Sequence, residues 1–268
     1  MATLVCAASA VVAGPPCVEG TTTYVLEDEY KPSNFFDKFK FWTDADPSGG
    51  YISYQPRDVA EAEGLIKTNA DDVYIGVENT EWWPSNGRKS VRIQSKDEYN
   101  SGLFITDFSH FPKPTCSAWP AFWMYGPTWP DDGEIDLYEG WHDPGFNHIT
   151  AHTFDDVAGD CILQPTLFDG SVVNTNCDIN SNTWYNEGCG VKETSGQWGN
   201  ANGGVYAMEW TEDFIKVWSW PTKPADVAAG EPDPTTWGKP HFAVTSASCN
   251  IGKAFNNMKF VFNIDICG

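Results

Sequence analysis

Short runs of β-branched and aromatic residues, each closed by Gly, Pro, Asn or Asp, recur along this chain of 268 residues, while sustained 3.6-residue periodicity is almost absent. A chain patterned this way cannot bury its apolar side chains along helix faces; it has to build strands and stack them as sheets. The runs cover 51–55, 73–78, 90–95, 102–108, 121–125, 134–139, 149–154, 205–210, 214–220 and 259–266. Two of them, 205–210 and 214–220, are joined across Thr211-Glu212-Asp213 and predict a hairpin. The one helix predicted is a turn or two near 57–63. Ten or more short strands with no helical crossover imply an all-β domain of antiparallel sheets packed as a sandwich. That domain is expected over 21–268, with the Pro-rich stretch 221–240 as a surface excursion between strands. Residues 1–20 are expected to be a degenerate or clipped export signal, or a loose N-terminal arm. Residues 3–13 are apolar and small, with Ala8-Ser9-Ala10 resembling a cleavage site, but no Lys or Arg precedes it.

Aromatic residues reach 15%, including 13 Trp, which exceeds what a core of this size demands and suits a groove that stacks rings on the C–H faces of sugars. An aromatic-rich β protein using the rings for packing alone is the alternative. The formal charge of −21 excludes partners more firmly than it selects one. Nucleic acid and anionic membrane would be repelled, whereas a neutral polysaccharide would not. Eight cysteines (Cys6, Cys17, Cys116, Cys161, Cys177, Cys189, Cys249, Cys267) form no CxxC pair and show no zinc-ligand spacing. Their even, scattered distribution predicts disulfides and hence a secreted protein. Connectivity stays open: Cys249 and Cys267 flank the last strand, and Cys161, Cys177 and Cys189 cluster in one loop-rich stretch. Removal of a signal after residue 10 or so would take Cys6 and leave seven. The chain is read as a monomer.

The run 134–139 reads Glu-Ile-Asp-Leu-Tyr-Glu, three carboxylates in six positions with tryptophans nearby. Acidic residues fill 37 of 268 positions, so three at this spacing arise by chance about 0.7 times, and the surroundings must carry the argument. Alternation along a strand puts Glu134 and Asp136 on one face, with Tyr138 next, and sends Glu139 to the other. A β-bulge near Leu137-Tyr138 would bring Glu139 back. Three carboxylates on one face push at least one pKa upward, as a general acid near neutral pH requires. Such a pair beside aromatic rings can cleave a glycosidic bond, with Glu134 as nucleophile, Glu139 as acid/base and Asp136 assisting the nucleophile. A close pair predicts retention of anomeric configuration. A solvated acidic face or a cation site are the alternatives. The first fits poorly between Phe122-Trp123-Met124-Tyr125 and the run 149–154, and calcium takes its ligands mostly from loops. Asp44-Ala45-Asp46-Pro47-Ser48-Gly49 faintly resembles a calcium loop but has no Glu at its twelfth position. No metal and no cofactor are expected.

Residues 117–140, SAWPAFWMYGPTWPDDGEIDLYEG, resemble the signature of glycoside hydrolase family sixteen in its bulged Glu-x-Asp-x-x-Glu form, and in particular its fungal laminarinase-like endo-β-1,3(4)-glucanases. SNFFDKFKFWTDADPSGGYISY (33–54), GRKSVRIQS (87–95), GGVYAMEWT (203–211) and FVFNIDICG (260–268) are similar as well, so the likeness runs from about Tyr24 onward. It implies a β-jelly-roll sandwich of two antiparallel sheets with a concave substrate cleft. By position Glu134 matches the family nucleophile, Glu139 its acid/base, Asp136 its assisting carboxylate and His152 a histidine beside them. Trp123 and Trp129 match tryptophans that hold glucosyl units on the non-reducing side. Trp119 is open between cleft and core; Asn34, Arg88 and Glu209 match cleft positions, but each could equally serve in a surface hydrogen bond or ion pair. The likeness departs in two places. The sequence stops at Gly268 where such chains often continue through an Asp-Trp segment, so either one cleft wall is missing or the chain is part of a longer one. Trp141-His142-Asp143 replaces smaller residues, and a bulky ring there would narrow the leaving-group side. The implied activity is endo-hydrolysis of β-1,3-glucan and of mixed β-1,3/1,4 chains. A transglycosylase sharing the first chemical step, or a non-catalytic glucan-binding protein, are the alternatives.

Overall fold

The structure, a computed structural model, describes residues 24–113, 115–142, 144–180, 187–193 and 197–267, together with the backbone of Thr3–Ala7. The strands in chain order are β1 (Thr3–Ala7), β2 (Phe39–Phe41), β3 (Ile52–Tyr54), β4 (Ile66–Thr68), β5 (Val73–Gly76), β6 (Arg88–Ser90), β7 (Arg92–Ser95), β8 (Gly102–His110) and β9 (Ala118–Tyr125). They continue with β10 (Glu134–Glu139), β11 (His148–His152), β12 (Ser171–Asn174), β13 (Cys189–Lys192), β14 (Gly204–Trp210), β15 (Phe214–Trp220), β16 (Phe242–Thr245) and β17 (Lys259–Ile266). An eight-stranded sheet runs β12-β13-β11-β10-β9-β17-β7-β2 and a seven-stranded one β16-β15-β14-β8-β1-β5-β4. Their pairings are antiparallel; β3 and β6 form a separate parallel pair.

Each of the ten runs read from the sequence overlaps a strand, and the predicted hairpin is β14–β15, with Trp210 opposite Ile215. Strands β1, β2, β4, β6, β12, β13 and β16 escaped the reading. They are three to five residues long, too short for alternation to register. The predicted helix is α1 (Arg57–Ala62), and it is not alone: α2 (Asp155–Ala158), α3 (Ala225–Ala229) and α4 (Ile251–Ala254) are single turns with no periodic signal of their own. Of residues 1–20, only the backbone of Thr3–Ala7 is described, as a strand between β5 and β8; the rest of the expected signal or arm lies outside the described residues.

The main core lies between the two large sheets. Phe104, Phe108 and Met208 face Phe122, Leu137, Phe260 and Phe262 across it. Phe122 stacks on Phe262 at 4.5 Å, and Phe108 meets Phe122 edge-on at 5.6 Å. Each buried ring contributes roughly 2–3 kcal/mol. A second apolar cluster of Leu103, Ile105, Val205 and Ala207 occupies the outer face of the seven-stranded sheet. The Pro-rich excursion covers it: Trp237 packs against Trp218 and Trp220 at 5.4 and 5.0 Å. That is why β14 is buried on both faces. Two disulfides, Cys161–Cys249 and Cys177–Cys189, tie the loops around β12 and β13, while Cys116 and Cys267 are free and exposed. Cys249 thus pairs far back in the chain and not with its neighbour Cys267.

Candidate active site

The face of the eight-stranded sheet turned away from the core carries a cleft of about 970 Å³. Its lining passes from Trp42, just after β2, through Arg92 on β7, Asn263 on β17, Trp123 on β9, Glu134 on β10 and Thr150 on β11 to Asn174 on β12. The cleft therefore runs across the strands and not along them. Its volume sits at the upper end of small-ligand pockets.

Alternation fails on β10 where the sequence said it must. Asp136 faces Trp123 of β9 and Tyr138 faces the next residue, Phe122, so Leu137 is the extra residue; the register with β11 shifts between Asp136 and Glu139. Leu137 and Tyr138 both enter the core, and Glu139 returns to the cleft beside Glu134 and Asp136. A bulge frees backbone groups that need partners. Asn147, 1% exposed, supplies two of them: its Oδ1 accepts from Glu139 N at 2.7 Å and its Nδ2 donates to Leu137 O at 2.9 Å. The same Nδ2 donates to buried Glu193 at 2.7 Å, and Glu193 also accepts from Tyr206 and Ser219. This brace of Asn147, Glu193 and Tyr206 went unnoticed in the sequence. The signal that could have found it is the bulge itself, which demands buried polar side chains behind the strand.

Asp136 is almost fully buried and accepts from Thr150 Oγ1 and, at 3.2 Å, from His152 Nε2. Burial, and then the Asp136 charge, push Glu134 up to about 7, opposed by His152 and the Trp129 indole. The same causes push Glu139 up to about 8, opposed by His152 and by Trp119, whose Nε1 donates to Glu139 Oε1 at 2.9 Å. Burial alone would discharge His152, but Asp136, Glu134 and Glu139 outweigh it and raise the imidazole to about 9. Burial and the neighbouring carboxylate thus hold both glutamates above the ordinary carboxylate range, and the pair titrates as a coupled unit. Donor atoms of Glu134, Asp136 and His152 lie within 4.8 Å of one another, the set among the described residues that could receive a cation. Asp136 Oδ2 is already engaged by Thr150 and His152.

Trp119, Trp123, Trp129 and His152 line the cleft with the three carboxylates, so Trp119 belongs to the cleft and not the core. Asn34, Arg88 and Glu209 do not line it. Asn34 bonds Glu29 O and Lys31 N; Arg88 pairs with Glu78 at 2.9 Å. Glu209 sits on the outer face of the seven-stranded sheet and accepts from Tyr24. Each satisfies a local bond away from the cleft. In their place stand residues the sequence reading missed. The Arg92 guanidinium lies 5.0 Å from the rings of both Trp42 and Trp123, an arrangement that favours a buried cation, and its charge opposes the upward shifts of Glu134 and Asp265. Asp265, 2% exposed, is raised to about 7 by burial and by nearby Asp46. Charged residues flanked by Val91 and Ile93, or by Ile264 and Ile266, were the available signal. Trp141 also lines the cleft, 6.0 Å from Trp119 and 5.0 Å from His148; Asp143 lies outside the described residues.

Residues 39–268 match the family model described as the XgeA-like, catalytic GH16 domain. The chain belongs to glycoside hydrolase family 16. Within it, the chain is 39% identical to the endo-1,3(4)-beta-glucanase of Arthroderma benhamiae over 93% of its own length and 56% of that relative. It is 39% identical to a probable endo-1,3(4)-beta-glucanase of Aspergillus niger over 92% of its own length and 34% of that relative. The chain thus spans little more than half, or less, of these curated relatives. Among solved family 16 structures, an elongating beta-1,3-glucosyltransferase superposes with a TM-score of 0.80 at 39% identity, covering 88% of this chain and 80% of the other. Laminarinase 16A from Phanerochaete chrysosporium, with beta-glucans in both donor and acceptor sites, superposes with a TM-score of 0.83 at 32% identity, covering 92% and 86%.

Proposed function

We propose that this chain is a secreted, retaining endo-β-1,3(4)-glucanase acting as a monomer without metal or cofactor. The observation that carries the reading is the register shift at Leu137, which puts Glu139 on the cleft face with Glu134 and Asp136. Glu134 attacks the anomeric carbon as the glycosidic bond breaks, and Glu139 gives its proton to the departing oxygen. Glu139 then takes a proton from water, whose oxygen displaces Glu134, and the two inversions give net retention. Asp136, held by Thr150 and His152, keeps the acid protonated through its charge. Trp123 and Trp129 hold glucosyl units against the cleft floor. Secretion is supported by the two disulfides. Among the described residues no helix is long and apolar enough to cross a membrane.

Glu134→Gln should lower laminarin turnover by at least about 10³-fold while glucan binding persists. Proton NMR of early wild-type products should show β-anomers. Near-normal turnover of the variant, or α-anomers, would overturn the assignment. A second reading, transfer of the glycosyl group to another sugar, is favoured by Trp141 beside Trp119 on the acid/base side of the cleft and by the likeness to an elongating glucosyltransferase. Products longer than the donor, sized after incubation with short laminari-oligosaccharides, would support transfer.

A further inference from the structure

Two adjacent tryptophans, Trp82 and Trp83, are each 85% exposed. They sit at the tip of the loop between β5 and β6, and that loop is held fast at its base. The Glu78 carboxylate accepts from the backbone N–H groups of Thr80 and Glu81 and pairs with Arg88. Arg88 also donates to Glu78 O at 3.0 Å and Glu81 O at 3.1 Å. On the far side of the pair, Pro84 O accepts from the Tyr51 hydroxyl. The fold therefore orders the chain on both sides of two large rings and leaves those rings in water, where nothing in the core needs them.

The loop adjoins the end of the cleft. Pro47 and Ser48 line the cleft's β7/β2 end. The same loop then continues to Gly50, packed on Asp265, and to Tyr51, which bonds Ile266 O through its N–H at 2.7 Å and reaches Pro84 through its side chain. The loop that lines this end of the cleft is thus tied through Tyr51 to the loop that carries the tryptophans. We propose that Trp82 and Trp83 form an auxiliary binding site for a neutral β-glucan chain, outside the cleft and continuous with its β7/β2 end. The inference rests on the glucanase reading above. The chemistry favours a neutral sugar polymer over an anionic one: the nearby cations Arg88 and Lys89 are paired with Glu78 and Glu63, and the chain's charge of −21 repels phosphate. Indole faces stack on the C–H faces of pyranose rings at little entropic cost.

The test uses the full chain carrying Glu134→Gln, which binds without turnover, and insoluble β-1,3-glucan in a depletion assay. Adding Trp82→Ala and Trp83→Ala should weaken adsorption about tenfold. In the catalytically intact chain the same pair of changes should leave kcat and KM on short laminari-oligosaccharides unchanged and raise KM on laminarin several-fold. Unchanged adsorption by the double variant overturns the proposal. So does a dimer, in sedimentation of the parent, that the double variant abolishes, since that assigns the rings to contact between copies. A parent chain that neither adsorbs to nor cleaves any β-glucan overturns the glucanase reading itself, an outcome distinct from loss of the auxiliary site alone.

Discussion

Glu139 and Glu134 differ in their neighbours more than in their chemistry. Both are pushed up by burial and by Asp136, yet Trp119 donates to Glu139 while the Trp129 indole favours the ionised form of Glu134, and the balance leaves Glu139 at about 8 and Glu134 at about 7. In the roles proposed above, activity needs Glu134 ionised and Glu139 protonated, so kcat/KM should be bell-shaped and highest between those two values. The Trp119 indole favours the ionised form of Glu139, so its removal must raise that pKa. Trp119→Phe should shift the alkaline limb of the profile upward. It should also lower kcat/KM about tenfold, the worth of one hydrogen bond to a charged group. A limb that moves down, or stays, would show that the indole bond does not set the acid's pKa.

At the scale of elements, β10 depends on a partner it never pairs with as a strand. Asn147 holds both the Glu139 N–H and the Leu137 carbonyl, and Glu193 holds Asn147. Asn147→Ala would leave these buried groups without partners, at about 1–3 kcal/mol each. We expect a lower melting temperature and a kcat reduced about 100-fold with KM little changed, because Glu139 would lose its aim. Calorimetry and steady-state kinetics on laminarin check both. The same element shows where the sequence could be read. On β10 one face meets the core and the other the cleft, so a break in alternation was visible and the bulge could be placed from Glu134, Asp136 and Glu139 alone. On β14 both faces are covered, by the core and by the Trp237 excursion, so alternation carries no sign of direction; Glu209 could not be told from a cleft residue until the strand was seen in its sheet. Arg92 and Asp265 stayed hidden for a related reason: β7 and β17 reach the cleft from residues distant in sequence, and a three-dimensional neighbourhood has no spacing.

The whole molecule is tuned against its own stability near neutral pH. Glu134 and Asp265, raised to about 7, Glu139, raised to about 8, and His152, raised to about 9, all bind protons more tightly folded than unfolded. Stability from such groups is present below the unfolded pKa and is lost as pH rises through the folded value. His148, pushed down to about 4 by burial, acts in the opposite sense, but only between about 4 and 6.5. Above pH 6.5 the signs agree, so the melting temperature should fall between pH 6.5 and 8.5. Glu134→Gln with Glu139→Gln should flatten that fall. A melting temperature that rises over this range would contradict the shifts.

The order of the eight-stranded sheet bears on how the protein is made. Its β17 lies between β9 and β7, yet it is translated long after both, and it brings Asn263 and Asp265 to the cleft. A nascent chain still on the ribosome can hold all three carboxylates of β10 and have no place to bind a polymer. A surface able to hold a polymer therefore forms only after the strand that fills the middle of the sheet has emerged.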